Sequence, residues 1–353
     1  MDRRYLSKKL AEWYQENRRN LPWRRSNDPY KIWISEVILQ QTRVDQGLGY
    51  YKNFVKTFPN VHALARAREE KVLRLWQGLG YYTRARNLHR CAKVISTKYN
   101  GHFPTDPFEL KQLPGVGDYT AAAIASIAFG KRSAVVDGNV YRVLSRIYGI
   151  ETPIDSTLGR QEFKQLANDL IPSKKPGIYN QAIMEFGALY CTPKNPDCPN
   201  CMFRKICVAS AEEKQLFLPI KKKIIKVTNR YFNYFVIDHE GSFLMRKRED
   251  KDIWKGLYEF FLVETKGPAS PKALVSKDKF LKSLKFDRET LSVTKPYKHV
   301  LSHRVINCQF TRLSLKIPIS LNGHKMKFYG VKSLDKLPKP VLIGNYLRDA
   351  GIL

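Results

Sequence analysis

The sequence predicts a two-domain protein in which an all-α domain is followed by an α+β domain. The chain has 353 residues, which is enough for two hydrophobic cores. Apolar residues recur at three- and four-residue spacing from Ser7 to about Ala211, which is the period of a helix. Beyond about residue 225 they alternate, which is the period of a strand. A polar and then lysine-rich stretch, 209–224, separates the two patterns and is expected to be a linker.

Individual segments support each half of this prediction. The stretches "YKIWISEVILQQT", "EEKVLRLWQGL" and "YYTRARNLHRCAKVIS" show helical periodicity and are ended by Gly, Pro or Asn. In the second half, "YFNYFVIDHEGSFLMRKRED" predicts two strands joined at Glu240-Gly241, and "VINCQFTRLSLKI" predicts another strand. The predicted domains are therefore 1–208 and 225–353, without internal repeats or low-complexity tracts.

The charge of the chain indicates a polyanionic partner. There are 62 Lys and Arg residues against 32 Asp and Glu, a net charge of +30, and nucleic acid is the first candidate. A lysine-rich proteome is the alternative explanation. The first twenty residues contain no apolar core of the signal-peptide type, and the longest apolar run, "AAAIASIAF", is about half a membrane span. We expect a soluble intracellular protein.

The stretch "LPGVGDYTA", residues 113–121, predicts a tight turn between two helices within 106–130. Glycines at 115 and 117 allow a turn that side chains would obstruct, and such a turn leaves backbone N–H groups free to bind a phosphate oxygen. An ordinary αα-hairpin with glycine at the crossing would have the same pattern. The motif resembles the helix-hairpin-helix of the base-excision DNA glycosylase superfamily that includes endonuclease III.

Four of the six cysteines lie within one short loop, while Cys91 and Cys308 stand alone, which does not fit a disulfide framework. The loop has the spacing C-x6-C-x2-C-x5-C and could hold either a 4Fe-4S cluster or a zinc ion. One Cys-x-x-Cys pair with two outlying cysteines favours iron–sulfur. The spacing also resembles the 4Fe-4S loop of the same superfamily, and the ligands would be Cys191, Cys198, Cys201 and Cys207.

Two carboxylates are candidates for catalysis. A DNA glycosylase breaks the bond between a base and C1′ of its sugar while positive charge develops on the sugar, so it needs a proton donor and a counter-charge. Glu36 is the only acidic residue in "YKIWISEVILQQT", where apolar neighbours would favour its protonated form; an exposed Glu on an amphipathic helix is the alternative. Asp137 directly precedes a helix and could be an N-cap, which would also stabilise its ionised form, and Asn139 would fix its orientation.

Several stretches together resemble the MutY-type adenine DNA glycosylases. They are "LPWR" (21–24), "SEVILQQT" (35–42), "GLGYYTRARNL" (78–88), "LPGVGDYTA", "VDGNVYRV" and the cysteine loop. The resemblance implies that Glu36 protonates N7 of adenine, that Asp137 stabilises the oxacarbenium-like transition state, and that Tyr119 lines the adenine pocket. It also implies a wider set of DNA contacts: Trp23, Arg24 and Gln181 around the extruded adenine, Gln41, Thr42, Leu79, Gly80 and Tyr81 at the opposite strand, and Gly115, Val116 and Gly117 in the hairpin.

The resemblance also bears on the nucleophile. In the bifunctional relatives a lysine occupies the position of Tyr119 and attacks C1′ to form a Schiff base. A phenol cannot form that imine, so the resemblance implies a monofunctional enzyme that uses water and leaves the strand intact.

The C-terminal half resembles the Nudix-like domain with which MutY-type enzymes read 8-oxoguanine opposite the adenine. The stretches "IWKGLYEFF" (253–261) and "YKHVLSHRV" (297–305) carry the match and imply that Ser302 and His303 touch the oxidised guanine. Leu301 departs from the Phe that is usual before this Ser-His pair. A Nudix hydrolase metal box needs Glu six residues after its first Gly, and Leu262 occupies that position after Gly256, so no hydrolysis is expected there.

The expected function is removal of adenine opposite 8-oxoguanine or guanine. The expected partner is double-stranded DNA, the cofactor a 4Fe-4S cluster, the state a monomer, and the location cytoplasmic, at the nucleoid if the source is bacterial. Two alternatives are an endonuclease III-like lyase acting on oxidised pyrimidines and a non-catalytic iron–sulfur DNA-binding protein. Glu36, Tyr119 and the additional domain argue against the lyase, and the pairing of Glu36 with Asp137 argues against a non-catalytic role.

Overall fold

The computed structural model describes residues 3–222, 227–249, 252–286, 291–317, 319, 321 and 323–353. By compactness the chain divides into two units. The first contains Met1–Arg66 and Asn87–Ile224, and the second contains Ala67–Arg86 and Ile225–Leu353. In the described part of the chain no helix is long and apolar enough to cross a membrane. The second unit thus includes a segment of the helical half, and the predicted domain limits of 1–208 and 225–353 stay a prediction.

The first unit is helical, as predicted. Its helices are α1 (Arg3–Asn17), α2 (Pro29–Leu39), α3 (Val44–Thr57), α4 (Val61–Ala65), α6 (Thr83–Lys98), α7 (Pro107–Lys111), α8 (Asp118–Phe129), α9 (Gly138–Tyr148), α10 (Thr157–Leu170), α11 (Pro176–Leu189) and α12 (Val208–Ala211), with 3₁₀ turns at Pro22–Arg24 and Arg204–Ile206. Helix α6 contains the boundary between the two units. The short α12 extends into the stretch that was predicted to be a linker.

Side-chain caps and glycines define the ends of the helices that carry the site. Asp28 precedes α2 and accepts a hydrogen bond from the Tyr30 amide at 2.9 Å, and Asp106 caps α7 in the same way. Gly130 and Gly149 end α8 and α9 in the left-handed conformation, at φ +65° and +69°. Apolar faces of α1, α8, α9, α10 and α11 share one core, whose largest buried members include Tyr14, Phe163, Phe186 and Phe203.

The second unit is built on a mixed eight-stranded sheet. Its elements are α5 (Glu69–Leu75), β1 (Thr228–His239), β2 (Ser242–Lys247), β3 (Tyr258–Glu259), β4 (Phe261–Thr265), α13 (Pro271–Lys277), α14 (Lys279–Ser283), β5 (Ser292–Val293), β6 (Tyr297–Val300), β7 (Arg304–Ser314), β8 (Met326–Gly330), α15 (Val331–Lys336) and α16 (Val341–Asp349). The main path runs β3-β2-β1-β7-β5, with β4 beside β1, β6 beside β7 and β8 beside β2.

Strands β1 and β7 form the parallel centre of this sheet, in register from Thr228 opposite Arg304 to Asp238 opposite Ser314. Residues 232–238 of β1 are buried without alternation, which is typical of a strand covered on both faces. The predicted turn at Glu240-Gly241 is confirmed, because both residues have positive φ and connect β1 to β2 as a tight hairpin.

The helix predicted over "YYTRARNLHRCAKVIS" begins two residues later than expected. Gly80 and Tyr81 have φ of +73° and +47°, values that a right-handed helix excludes, so α6 starts only at Thr83. Tyr81 therefore lies in a loop and not at the start of the helix.

Candidate active site

Glu36 lies on α2 with its side chain 9% exposed, so the alternative of an exposed glutamate is wrong. The helix is buried from Ile32 to Ile38, which leaves the carboxyl in largely apolar surroundings. Tyr119 on α8 donates a hydrogen bond from its phenol to Glu36 Oε2 at 2.6 Å. Burial raises the pKa of Glu36 to about 7, aided by the charge of Asp137 and opposed by the Tyr119 hydrogen bond and by the charge of Arg24.

Asp137 is the N-cap of α9, as its position before that helix predicts. Its Oδ1 accepts from the backbone amides of Asn139 and Val140 at 2.9 and 2.8 Å, and its Oδ2 accepts from the Asn139 side chain at 2.8 Å. Asn139 is itself fixed, since Arg142 donates to its Oδ1 at 2.8 Å. Burial raises the pKa of Asp137, and the three donated hydrogen bonds act in the opposite direction by favouring the carboxylate.

The hairpin between α7 and α8 brings Tyr119 to Glu36. Gly115 adopts φ +75°, and a Cβ there would lie 2.6 Å from Cβ of Asn87, so this position requires glycine. Gly117 is the N-cap of α8, and a Cβ there would meet no atom within 4 Å, which leaves the helix N-terminus open. Tyr119 follows two residues later and lies in the first turn of α8.

One cavity of about 710 Å³ collects most of the predicted site. Eleven predicted residues line it: Trp23, Arg24, Glu36, Gln41, Thr42, Gly115, Gly117, Tyr119, Asp137, Asn139 and Gln181. Val116 does not line it, because its side chain is 6% exposed and packs inward. Leu79, Gly80, Tyr81, Ser302 and His303 belong to the second unit and line a different cavity.

Sequence reasoning missed three charged residues in the wall of the first cavity, Arg19, Asp118 and Glu185. Glu185 lies on α11 and is 1% exposed. Arg19 and Arg24 both donate to its carboxylate at distances down to 2.6 Å. Burial raises the pKa of Glu185, but the hydrogen bonds from Arg24 and Arg19 outweigh it and lower that pKa to about 2. A signal was present, since Glu185 is the only acidic residue of its helix, the same pattern that identified Glu36.

The four loop cysteines line one small cavity that follows α11. Arg146 donates from Nη1 toward Cys191 Sγ at 3.3 Å, and the Phe203 amide donates toward Cys201 Sγ at 3.4 Å. Contacts of this kind suit thiolates that carry negative charge. Within the described residues no group of His, Cys, Asp or Glu side chains is close enough to hold a single metal ion. A four-iron cubane takes one sulfur at each iron, so its ligand set is wider than that of one ion, and the donor set fits a cluster.

The cavity of the second unit has a volume of about 560 Å³. Tyr81 Oη and Ser302 Oγ are in hydrogen-bond contact across it, and Trp254 forms part of the wall. The loop from Leu301 to His303 is held in place, because the Thr228 amide donates to the His303 carbonyl at 3.1 Å. Glu259, three residues after Gly256, is fully buried, and its carboxylate is paired with Arg248 and Arg246.

Family comparisons agree with both halves of the chain. The model for HhH-GPD superfamily base excision DNA repair proteins matches residues 34–169, and a NUDIX domain model matches residues 233–349. The adenine DNA glycosylase of Buchnera aphidicola subsp. Acyrthosiphon pisum is 33% identical over 346 residues, 97% of each chain. The human adenine DNA glycosylase is 44% identical over 218 residues, 59% of this chain and 40% of the human one.

Solved structures resemble the helical part. A thermostable thymine-DNA glycosylase is 29% identical, with a TM-score of 0.55 over 60% of this chain and 97% of that one. Endonuclease III in a non-covalent DNA complex is 25% identical, with a TM-score of 0.52 over 60% of this chain and 96% of its own. The hairpin, the buried glutamate and the capped aspartate thus define a helix-hairpin-helix DNA glycosylase of base excision repair, followed by a Nudix-like domain. The chain belongs to the adenine DNA glycosylase family.

Proposed function

We propose that this glycosylase removes adenine paired with 8-oxoguanine by extruding the adenine into the 710 Å³ cavity and hydrolysing its N-glycosidic bond. One observation carries the proposal. Glu36 on α2, Tyr119 on α8 and Asp137 at the N-cap of α9 line one cavity, with Glu36 buried enough to hold a proton at neutral pH. This arrangement supplies an acid for the leaving base and a carboxylate for the sugar.

Glu36 would act as the general acid. Its pKa of about 7 lets Glu36 hold a proton near neutral pH, the range in which proton donation is most efficient. The Tyr119 hydroxyl donates a hydrogen bond to Glu36 Oε2. The other carboxyl oxygen, Oε1, would then face the base. Protonation of N7 would make adenine a better leaving group.

Asp137 would face the sugar as positive charge develops there. Its carboxylate is oriented by three hydrogen bonds, so little reorganisation is needed when the charge appears. The division of labour between Glu36 and Asp137 is that of the two carboxyl groups in glycoside hydrolysis.

Water would be the final nucleophile. No lysine of the described residues lines the cavity, and Tyr119 would take the place of the lysine with which bifunctional relatives attack C1′. The product would therefore be an abasic site in an intact strand.

The hairpin would anchor the DNA backbone. Gly115 and Gly117 line the cavity beside Tyr119, and the open N-terminus of α8 offers backbone N–H groups to a phosphate. Val116 would support the hairpin from the core. A basic protein of net charge +30 suits this substrate, and chromosomal DNA as substrate would place the enzyme in the cytoplasm or nucleoid, working as a monomer.

The lesion-reading role would belong to the second cavity. Tyr81 and Ser302 meet there, with His303, Leu79 and Gly80 in the same wall, so a base from the strand opposite the adenine could contact all of them. Ser302 and His303 offer hydrogen-bonding groups suited to the altered edge of 8-oxoguanine. Leu301 would give apolar contact at the position where Phe is usual.

The cysteine loop would hold a 4Fe-4S cluster through Cys191, Cys198, Cys201 and Cys207. The cluster would supply a rigid, charged cross-link for a loop that has little regular structure of its own. The guanidinium of Arg146 and the amide of Phe203 would orient the surrounding thiolates through donated hydrogen bonds.

A single-turnover assay tests the proposal. Duplexes containing A:8-oxoG, A:G and A:T should give rapid, slower and negligible adenine release, respectively, with strand cleavage only after alkali. Borohydride should trap little covalent protein–DNA adduct. Efficient trapping at the rate of base release would show a lyase, and the absence of release from every duplex would show a non-catalytic DNA-binding protein.

A further inference from the structure

Glu185 is the most heavily hydrogen-bonded carboxylate in the wall of the active-site cavity. Its Oε1 accepts from Arg19 N and Nε at 3.0 Å each and from Arg24 Nη1 at 2.6 Å. Its Oε2 accepts from Arg19 Nη2 and Arg24 Nη2, each at 2.6 Å. Five donors therefore converge on one side chain that is 1% exposed, which is the geometry of a fixed, ionised group.

The two arginines are fixed on the cavity wall by this carboxylate. The Arg24 side chain is 11% exposed, donates to the Arg19 carbonyl at 3.1 Å and lies 5.5 Å from the centre of the Tyr14 ring. Tyr14 in turn donates to Gln181 Oε1 at 2.8 Å, and Gln181 is one helical turn before Glu185 on α11. The Glu185 carboxylate thus holds in place the arginines that border the position predicted for the extruded base.

Arg24, which is paired with Glu185, also acts on Glu36. The charged and titratable groups that act on Glu36 are Tyr119 from α8, Asp137 at the start of α9 and Arg24 from the 3₁₀ turn before α2. Arg24 favours the ionised form of Glu36, which is the form that cannot donate a proton. With Glu185 ionised, the group of two arginines and one glutamate carries one net positive charge; without it the group would carry two.

We propose that Glu185 is a positioning residue for base removal: it holds Arg19 and Arg24 on the cavity wall and limits the positive charge that reaches Glu36, so that the acid keeps its proton in neutral solution. This inference rests on the proposed role of Glu36 as the acid. It adds a residue that donates no proton itself, and it gives a role to an ionised glutamate that lines the same cavity as the acid.

The pH dependence of adenine release in single turnover tests the inference. In the wild-type protein the rate should fall as pH rises through about 7, because Glu36 loses its proton. Glu185→Gln removes the charge, so this decline should move to lower pH by about half a unit to one unit, the size expected for one charge acting across a partly hydrated cavity. Glu185→Asp keeps the charge but shortens the side chain, so the rate should drop at every pH while the decline stays near its wild-type position.

Two further variants keep the inference testable if Glu185→Gln folds poorly. Arg24→Met removes the charge that acts on Glu36, so the decline should move to higher pH, whatever the loss in absolute rate. Glu162→Gln makes the same chemical change on the exposed face of α10 and should leave the profile unchanged. Circular dichroism and thermal unfolding would establish that each variant is folded.

The outcomes separate this inference from the proposed function. A wild-type decline near pH 7 that neither Glu185→Gln nor Arg24→Met moves would overturn the role of Glu185 and leave Glu36 as the acid. A wild-type profile with no decline between pH 6 and 8 would instead contradict the role of Glu36 itself. A loss of rate at all pH values in Glu185→Gln, with the decline unmoved, would reduce Glu185 to a structural residue.

Discussion

Glu36 and Glu185 have the same local sequence setting but opposite protonation behaviour. Each is the only acidic residue of an apolar helix, each is at most 9% exposed, and both line one cavity. Yet the pKa of Glu36 is raised by burial to about 7, and that of Glu185, against the effect of burial, is lowered to about 2. Burial alone therefore does not decide the charge of a carboxyl group, because hydrogen bonds from charged donors can outweigh it.

The partners explain the difference. Glu36 receives one hydrogen bond from a neutral phenol, whereas Glu185 receives five, four of them from guanidinium groups. Arg19 and Arg24 are more than 160 residues from Glu185 in the sequence, and Tyr119 is 83 residues from Glu36. One glutamate is thereby suited to donate a proton, and the other to hold positive charge in place.

The largest expected effect is on chemistry at Glu36. Glu36→Gln should lower the single-turnover rate of adenine release by about 10²- to 10⁴-fold, because the proton donor is lost while the shape is kept. Affinity for the A:8-oxoG duplex should change less than about threefold, since binding rests mainly on phosphate contacts. Glu162→Gln serves as the matched control. Release at close to the wild-type rate would remove Glu36 from the acid role.

Stability should respond to pH in opposite directions at the two glutamates. Glu36 has a raised pKa, so its contribution is full below about pH 4.5 and is lost as pH rises through about 7. Glu185 has a lowered pKa, so its contribution is present above about pH 4.5 and is lost as pH falls toward about 2. Each shift corresponds to roughly 3 kcal/mol in the free energy of unfolding.

Urea unfolding of the two variants, measured as a function of pH, tests these two pH dependences of stability. Glu36→Gln should flatten the loss of stability between pH 5 and 8, and Glu185→Gln should flatten the loss below pH 4.5. If both variants changed the same side of the stability curve, the contrast between the two carboxyl groups would be wrong.

Discrimination between lesions should depend on the second unit and not on either glutamate. Ser302→Ala removes one hydrogen-bonding hydroxyl from the cavity it shares with Tyr81, so the preference for A:8-oxoG over A:G should fall by about tenfold, the size of one lost hydrogen bond. The pH at which the rate declines should stay the same. Single-turnover rates on the two duplexes measure both quantities, and an unchanged preference would argue against lesion reading at this serine.

A smaller effect is expected from Tyr119→Phe. The phenol donates to Glu36 and so favours its ionised form; without it the pKa of Glu36 should rise. The decline in rate should move to higher pH by about half a unit. None of the five hydrogen bonds to Glu185 comes from Tyr119, so the acid side of the stability curve should not change. A shift to lower pH would show that Tyr119 helps Glu36 to keep its proton, contrary to the present interpretation.

The sequence predicted the elements and singled out Glu36, but it did not single out Glu185 in the same cavity. Helical and strand periods identified both halves, the glycines identified the hairpin, and the lone carboxylate on an apolar helix identified Glu36. The same criterion applied to α11 would have found Glu185, but its role depends on two arginines near the N-terminus, and local spacing carries no information on such pairs. The hydrophobic period of the sequence also did not reveal that Ala67–Arg86 belongs to the second compact unit. That membership depends on tertiary contacts, which local spacing does not encode.

The protonation of Glu36 itself is the most direct test of the account. Carboxyl ¹³C NMR of glutamate-labelled protein, with Glu36→Gln and Glu185→Gln used to assign the two resonances, follows each group without relying on activity. We expect the Glu36 resonance to titrate at about pH 7 and the Glu185 resonance not to titrate between pH 4 and 8. A Glu36 titration near the ordinary glutamate value of about 4.3 would contradict the central claim that burial prepares this residue to donate a proton.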